Sequence, residues 1–247
     1  MADIENSGLS VIIPAYNEEQ YIAGSLDCVD RATKYLQNRC LQSVEVIVVD
    51  NASEDHTAPF AQALGATIVQ EPIRNIARAR NAGAKASQCD ILVFIDADTI
   101  VPEALLWRIS RVMADPLCIG GAVDTEYQPA RLFIRAYLQL WRGLGKLLGM
   151  AQGATQFCRR EVFASLGGYS ETLYMGEDVD FYWRLRKAAR SRRLRVCLIN
   201  DLRVVPSCRR FNQWPVWRTL IWTNPVFILL FRRRKQVWDN WHHRAPR

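Results

Sequence analysis

Four short runs constrain this chain more than anything else in it: Leu9–Ala15 (LSVIIPA), Val44–Asp50 (VEVIVVD), residues 66–70 (ATIVQ) and residues 91–96 (ILVFID). They are rich in β-branched residues and nearly continuous in hydrophobicity. A strand with one wet face alternates apolar and polar residues, so these runs read as strands covered on both faces, the condition of a parallel sheet. Helical stretches lie between them: residues 18–36, opening just after Asn17; a short one over 57–64 that ends at Gly65; and 77–86. Strand alternating with helix over the first hundred residues predicts an α/β fold with right-handed crossovers. Ligands in such sheets sit beyond the carboxyl ends of the strands, where this sequence places Asn17 and Glu18, Asp50 and Asn51, and Asp96 and Asp98.

Pro102 suits the first turn of a helix over 103–113, and residues 118–127 read as a strand. Residues 130–150 form an amphipathic helix with many large apolar groups, readable as packed on the sheet or as a membrane or acceptor surface. A strand over 152–158, a helix over 159–166 ended by Gly167-Gly168, a helix over 177–189 and a last strand over 194–199 follow. With 49% hydrophobic and 23% charged residues among 247, the chain can bury a sizeable core. No linker or repeat divides it, so the economical description is one domain over 1–210 with a C-terminal extension over 211–247.

Seven cysteines, an odd number with no C-x-x-C pair, support neither a disulfide framework nor a zinc ribbon and point to a reducing compartment. The first residues, MADIEN, are acidic where a secretory signal is basic and then apolar, so the expected location is cytoplasmic. The net charge of +7 first suggests a nucleic-acid binder, but it is unevenly placed. Residues 184–247 carry 17 Lys/Arg and only two acids, a local +15 that leaves −8 for the first 183 residues. An acidic body with a basic tail lacks a recognisable nucleic-acid reading motif.

Asp96-Ala97-Asp98 follows directly on an apolar strand. If the chain stays extended, both carboxylates face one side and can share one Mg²⁺ or Mn²⁺, which would neutralise charge on a leaving diphosphate. Read alone, the same pair equally suits a solvated turn in which Asp98 caps the next helix. Four further segments surround it in order: Pro14-Ala15-Tyr16-Asn17-Glu18; Asp50-Asn51-Ala52-Ser53-Glu54-Asp55; Ala79-Arg80-Asn81-Ala82-Gly83; and Gly167-Gly168-Tyr169 ahead of Gly176-Glu177-Asp178-Val179-Asp180.

With these segments in this order, the sequence over about residues 9–210 resembles the family 2 glycosyltransferases of the GT-A fold. The resemblance implies a Rossmann-like nucleotide-diphospho-sugar transferase domain with a mixed, mainly parallel central sheet and helices on both faces. It implies that Pro14, Tyr16, Glu18 and Asp50, with Asn51, line the nucleotide pocket, and that Arg80 approaches the base or diphosphate. Asp96, with Ala97 beside it, would face the ribose, and Asp98 would bind the metal, with Asp96 as a second metal candidate. Glu177 and Asp178 would sit on the acceptor side, Asp178 matching the base of inverting members. An acceptor hydroxyl is a poor nucleophile, so a carboxylate must take its proton as the new bond forms, on the face opposite the departing diphosphate. The bland reading of Glu177 and Asp178 is a pair of acids favoured by a helix N-terminus. Many relatives carry a metal-binding His after the last strand; residues 204–210 have none, and the only histidines are His56, His242 and His243. Ser207-Cys208-Arg209-Arg210 resembles the S-x-R-R of some members, which implies that Arg209 and Arg210 meet the diphosphate; a basic surface turn is the alternative.

The implied activity is transfer of a sugar from a UDP- or GDP-type donor to a hydroxyl acceptor, lipid-linked or a cell-envelope glycan precursor, with Mn²⁺ or Mg²⁺. A nucleotidyltransferase would carry a glycine-rich basic loop after the first strand, where this chain has Pro-Ala-Tyr-Asn-Glu-Glu. A dehydrogenase would carry G-x-G-x-x-G, which is absent, and a glycosidase needs a proton donor rather than a diphosphate-binding cation. The extension is aromatic and apolar over 214–231 and then basic over 232–235. Its uncharged run, 219–231, is too short to span a bilayer. Three readings stay open for it: an anionic membrane surface, packing on the domain, and dimerisation.

Overall fold

The computed structural model describes residues 8–147 and 154–238. The expected helix end near Met150, the strand start at Gln152, His242 and His243 lie outside the described residues. The chain runs β1 (Leu9–Ala15), α1 (Ile22–Gln37), β2 (Val44–Asp50), α2 (Thr57–Ala63), β3 (Thr67–Gln70), α3 (Ile76–Ala86) and β4 (Ile91–Ile95). It continues as β5 (Thr99–Ile100), α4 (Leu105–Met113), β6 (Cys118–Thr125), α5 (Leu132–Leu147), β7 (Thr155–Arg159), α6 (Arg160–Ser165), α7 (Glu177–Arg192) and β8 (Arg195–Pro206). Three short helices close it: α8 (Arg209–Gln213), α9 (Val216–Trp222) and α10 (Pro225–Phe231).

The strand order is β3-β2-β1-β4-β7-β6-β8-β5. β3, β2, β1 and β4 are mutually parallel, while β7 runs antiparallel between β4 and β6. Succession from β1 moves outward through β2 and β3 and then returns to β4 on the other side of β1. That reversal opens a crevice beyond the carboxyl ends of β1 and β4. The continuous hydrophobicity of β1 has its predicted cause. Leu9, Val11 and Ile13 face α1 and α4 through Ile22, Val29, Leu106 and Ile109, whereas Ile12 faces α3, α6 and α7 with Phe94, Phe163 and Phe181. Each such side chain removed from water stabilises the fold by roughly 1.5–3 kcal/mol. α3 lies so close to the sheet that a Cβ on Gly83 would come within 2.4 Å of Ile12 Cγ2 and 2.9 Å of Val49 Cγ2. This close approach is the reason for the glycine in Ala79-Arg80-Asn81-Ala82-Gly83.

Three elements depart from the sequence expectation. α1 begins at Ile22 rather than at residue 18, because Asn17 takes φ 50° and the Glu18 carbonyl accepts from Tyr21 and Ile22 N–H in a separate turn. The last strand does not stop at 199 but runs on to Pro206 through an irregularity opposite Val123 and Asp124. Its far end pairs antiparallel with the two-residue β5, Thr99 opposite Pro206 and Ile100 opposite Val205. Finally, α5 does not lie on the sheet. Its buried Ile134 and Leu138 meet Phe211 of α8, since other helices already cover the sheet faces.

The extension packs on the domain. Trp214 and Trp238 are buried among Tyr174, Met175, Trp222, Phe227 and Ile228. Tyr174 N–H donates to the Arg232 carbonyl (2.8 Å), and Trp238 Nε1–H to that of Phe231 (2.9 Å). Its outer face stays uncovered: α10 has no buried residue, and Val226, Leu229 and Leu230 are all more than half exposed. Among the described residues, no helix is long and apolar enough to cross a membrane.

Candidate active site

The ends of β1 and β2 are knitted together before any ligand is considered. Asn17 N–H donates to Ser53 Oγ (3.0 Å) and Asn17 Oδ1 accepts from Glu54 N–H (2.7 Å). Asp50, expected in the nucleotide pocket, is buried and accepts from Ser53 N–H (3.0 Å). Asn51 is spent internally: its amide donates to the carbonyls of Glu71 and Ile73, and its oxygen accepts from Asn75 N–H (2.8 Å). It positions the segment leading into α3. Pro14 lies within β1, opposite Val49. Tyr16 is half-buried at the edge of the crevice, with the Arg74 guanidinium over its ring at 4.2 Å.

The strongest electrostatic feature is Arg80, only 2% exposed. Its Nη1 donates to Glu177 Oε1 (2.7 Å) and its Nη2 to Asp96 Oδ1 (2.8 Å), and the guanidinium lies 5.1 Å from the centre of the Tyr169 ring. The arginine expected against the base or diphosphate thus forms an internal fork joining the acids after β4 to those opening α7. Asn81, next to it, brackets the Gly-Gly-Tyr turn, accepting from Tyr169 N–H (2.8 Å) and donating to its carbonyl (3.0 Å). Gly176, at φ 73°, takes a left-handed conformation that brings Glu177 and Asp178 into the first turn of α7, where the helix dipole favours acids. Burial raises both carboxyls above the ordinary range; the neighbouring Asp178 charge raises Glu177 further, and Arg80 opposes.

The β5–β8 pairing assembles the other half. Ser207 N–H donates to the Asp98 carbonyl (2.9 Å), so the Ser-Cys-Arg-Arg turn lies against Asp98. Arg209 clamps Glu18 with both terminal nitrogens, Nη1 to Oε2 at 2.6 Å, and places Nη2 3.3 Å from Asp98 Oδ2. It also stacks on Tyr21 at 4.4 Å. Arg210 is close enough for Asp98, Glu18 and Asp96 to act on it, while burial pulls its proton affinity down. Asp98 is raised to about 6 by burial and the nearby Glu18, with Arg209 opposing. Ala97, between the two aspartates, is buried. His56 is exposed beside Glu19.

A hard divalent cation fits this donor chemistry. The Glu18 and Asp96 carboxylates both act on that of Asp98, and the burial that raises Asp98 would be offset by a positive charge. Among the described residues, no group of three His, Cys, Asp or Glu could hold an ion alone. A cation would therefore take its remaining ligands from oxygens outside the protein, the usual habit of Mg²⁺.

Two residues of the site carry no sequence signal. Tyr127, just past β6, packs edge-on against Phe211 at 5.4 Å; its phenol is held protonated by burial and by Asp96, Asp178 and Asp98. Gln156, buried in β7, donates to the Asp178 carbonyl (3.0 Å) and accepts from Tyr169 O–H (2.9 Å). Only a strand position opposite Phe94 marks Gln156.

A parallel half-sheet extended by an antiparallel strand, with acids beyond the switch point, defines the GT-A class of nucleotide-sugar-dependent glycosyltransferase folds. The sequence profile described as glycosyl transferase family 2 matches residues 10–167, more than half of the chain. The chain belongs to that family. The glycosyltransferase AglE of Haloferax volcanii is 28% identical over 191 residues, 72% of this chain and 60% of the relative, so the chain spans well under the full length of that relative. Among solved structures, a mannosyltransferase from Pyrobaculum calidifontis in complex with GDP-Man and Mn²⁺ superposes with a TM-score of 0.64 at 23% identity, over 86% of this chain and 60% of the other. Glucosyl-3-phosphoglycerate synthase from Mycobacterium tuberculosis, with Mn²⁺ and UDP, gives 0.60 at 22% identity over 92% of this chain and 80% of the other. At such identities these two likenesses establish the fold.

Proposed function

We propose that this protein transfers a sugar, with inversion, from a UDP- or GDP-type nucleotide-diphosphate donor to a hydroxyl acceptor, using Mn²⁺ or Mg²⁺. The observation that carries the reading is the pair of separated acidic clusters, Asp96/Asp98 and Glu177/Asp178, held at a set distance by the buried fork of Arg80. One cluster serves the departing diphosphate and the other the incoming hydroxyl. Bound at Asp98, with Asp96 and Glu18 nearby, a divalent cation would stabilise the charge left on the diphosphate. Asp178 would accept the acceptor proton; its burial raises its basicity toward what a general base at neutral pH requires. Arg80 and Gln156 hold the acids in place, and Tyr16 with Arg74 offers the donor's base a flat face at the mouth of the crevice. Arg209 and Arg210 supply further positive charge to the diphosphate. The GDP-Man and UDP held with Mn²⁺ in the fold neighbours support the donor class.

We assign catalysis to residues 1–210 and a supporting role to 211–247, with the exposed apolar side chains of α10 and the basic residues 232–235 resting on the anionic cytoplasmic face of a membrane. Thermal unfolding with UDP, GDP and other nucleoside diphosphates, with and without Mn²⁺, tests the core of the reading. A nucleotide present at a hundred times its Kd adds about 2.7 kcal/mol of stability. Asp98→Ala should remove the Mn²⁺-dependent part of the response. If no nucleotide raises the unfolding temperature in the presence of metal, the reading is wrong.

A further inference from the structure

Beside Asp178 the protein leaves a cavity of about 520 Å³, between β6, α5, the start of α7 and α10. That is the size of a small-molecule site. Its walls are mostly apolar, Leu144, Trp183, Leu198, Ile228 and Leu229 among them. Four of these are left unusually open to water: Leu144 at 39%, Trp183 at 39%, Leu198 at 36% and Leu229 at 53%. The Asp124 carboxylate on the β6 wall is already satisfied by Arg142, whose Nε donates to it at 3.0 Å, so that wall presents little free polarity. Asp178 brings a carboxylate to the lining, and Arg232 brings a cation.

We infer that this cavity receives the acceptor, and that the acceptor is an amphiphile: an alcohol whose hydroxyl reaches Asp178 and whose alkyl-type apolar body lies along α5 and α10. The inference rests on the proposed role of Asp178 as base. A purely polar acceptor would surrender its hydration here to walls that offer few hydrogen bonds in return, an unfavourable exchange. An apolar body instead covers side chains that the described protein leaves wet. The exposed apolar residues of α10 continue the same surface outward, so a membrane-resident acceptor could enter without leaving an apolar environment. In the transfer, the acceptor oxygen forms its bond to the anomeric carbon as its proton passes to Asp178. The bond from that carbon to the diphosphate oxygen breaks, and its electron pair leaves on the diphosphate.

Methyl, hexyl and octyl β-D-glucosides, used below their micellar concentrations, probe the apolar part of the site by calorimetry on the intact protein. Affinity should rise with chain length by up to about fourfold per methylene buried. Leu229→Glu and Trp183→Glu should flatten that dependence. Leu41→Glu, at a 97% exposed position outside the cavity, should leave it intact. Equal affinity for the methyl and octyl glucosides, or a dependence that neither cavity variant alters, overturns the inference. The Mn²⁺-dependent nucleotide response, read on the same samples, checks folding and separates the two failures. A retained response without chain-length dependence rejects the amphiphilic acceptor alone. A missing response in the unmodified protein rejects the glycosyltransferase assignment of the site and this inference with it.

Discussion

Arg80→Met tests the electrostatic core of the site. Methionine retains much of the apolar stem but removes the guanidinium, leaving Glu177, 5% exposed, and Asp96 without the charge that both now share. Breaking a buried ion pair by removing one partner costs about 3–5 kcal/mol, because the other charge stays buried and uncompensated. A domain of this size loses roughly 2–4 °C of Tm per kcal/mol, so the expected fall is on the order of 6–20 °C. The cost should also depend on pH. Burial raises Glu177 from its ordinary 4.5 to about 7 in the folded protein, against the pull of Arg80. A carboxyl raised on folding binds more protons in the native than in the unfolded state, so its contribution to stability falls as pH climbs through that interval. Without Arg80 the carboxyl is raised further. At pH 5 it is neutral in both proteins and the variant suffers least; at pH 8 the variant suffers most. Urea unfolding at the two pH values measures the difference directly. Adding Glu177→Gln should recover about 0.5–3 kcal/mol of the loss at pH 8, the range of coupling between contacting residues. A loss below about 1 kcal/mol at pH 8, or one equal at both pH values, would refute the idea that Arg80 is held there by charge.

Further outcomes follow from the same geometry. Asp178→Asn should keep the Mn²⁺-dependent nucleotide response while lowering transfer by about 10²–10⁴-fold, the usual contribution of a general base, as measured by nucleoside diphosphate release with an acceptor present. Gly83→Ala would drive a methyl group into Ile12 and Val49 and should cost about 1–3 kcal/mol in urea unfolding. Charge reversal at Arg232, Arg233, Arg234 and Lys235 should abolish co-sedimentation with anionic liposomes, since each basic residue near such a surface contributes about 1 kcal/mol. The substitutions leave the Arg232 carbonyl free to hold Tyr174, so an unchanged unfolding temperature should accompany the loss. Binding that survives the reversal would remove the polybasic contact from consideration.

The parts of the candidate site that can be read from the sequence are those written within a few residues of one another. Asp96 and Asp98 follow a strand whose burial shows in its own composition, and Glu177 and Asp178 follow a glycine that opens a helix. What these residues touch was not legible. Glu18 and Arg209 form their clamp across 191 positions, and Arg80 meets Glu177 across 97. Arg80, which the resemblance places against the donor, bridges Glu177 and Asp96 inside the protein, and Asn51 spends its amide on backbone groups. Tyr127 and Gln156 carry no mark in the sequence, because a lone tyrosine past a strand, or a glutamine within one, looks like many others until its neighbours are known.

By itself the sequence determined the alternation of buried strands and helices and the acids at the strand ends. Those properties depend on hydrophobic period and on turn residues, which are local. Tertiary structure alone decided that the two-residue β5 pairs with the end of β8 and so delivers Arg209 to Glu18 and Asp98. It also decided that α5 and the extension pack on each other and leave an apolar cavity against Asp178. Ion pairing and cavity shape arise from contacts between distant segments, and a one-dimensional pattern of hydrophobicity carries no term for which distant residues meet.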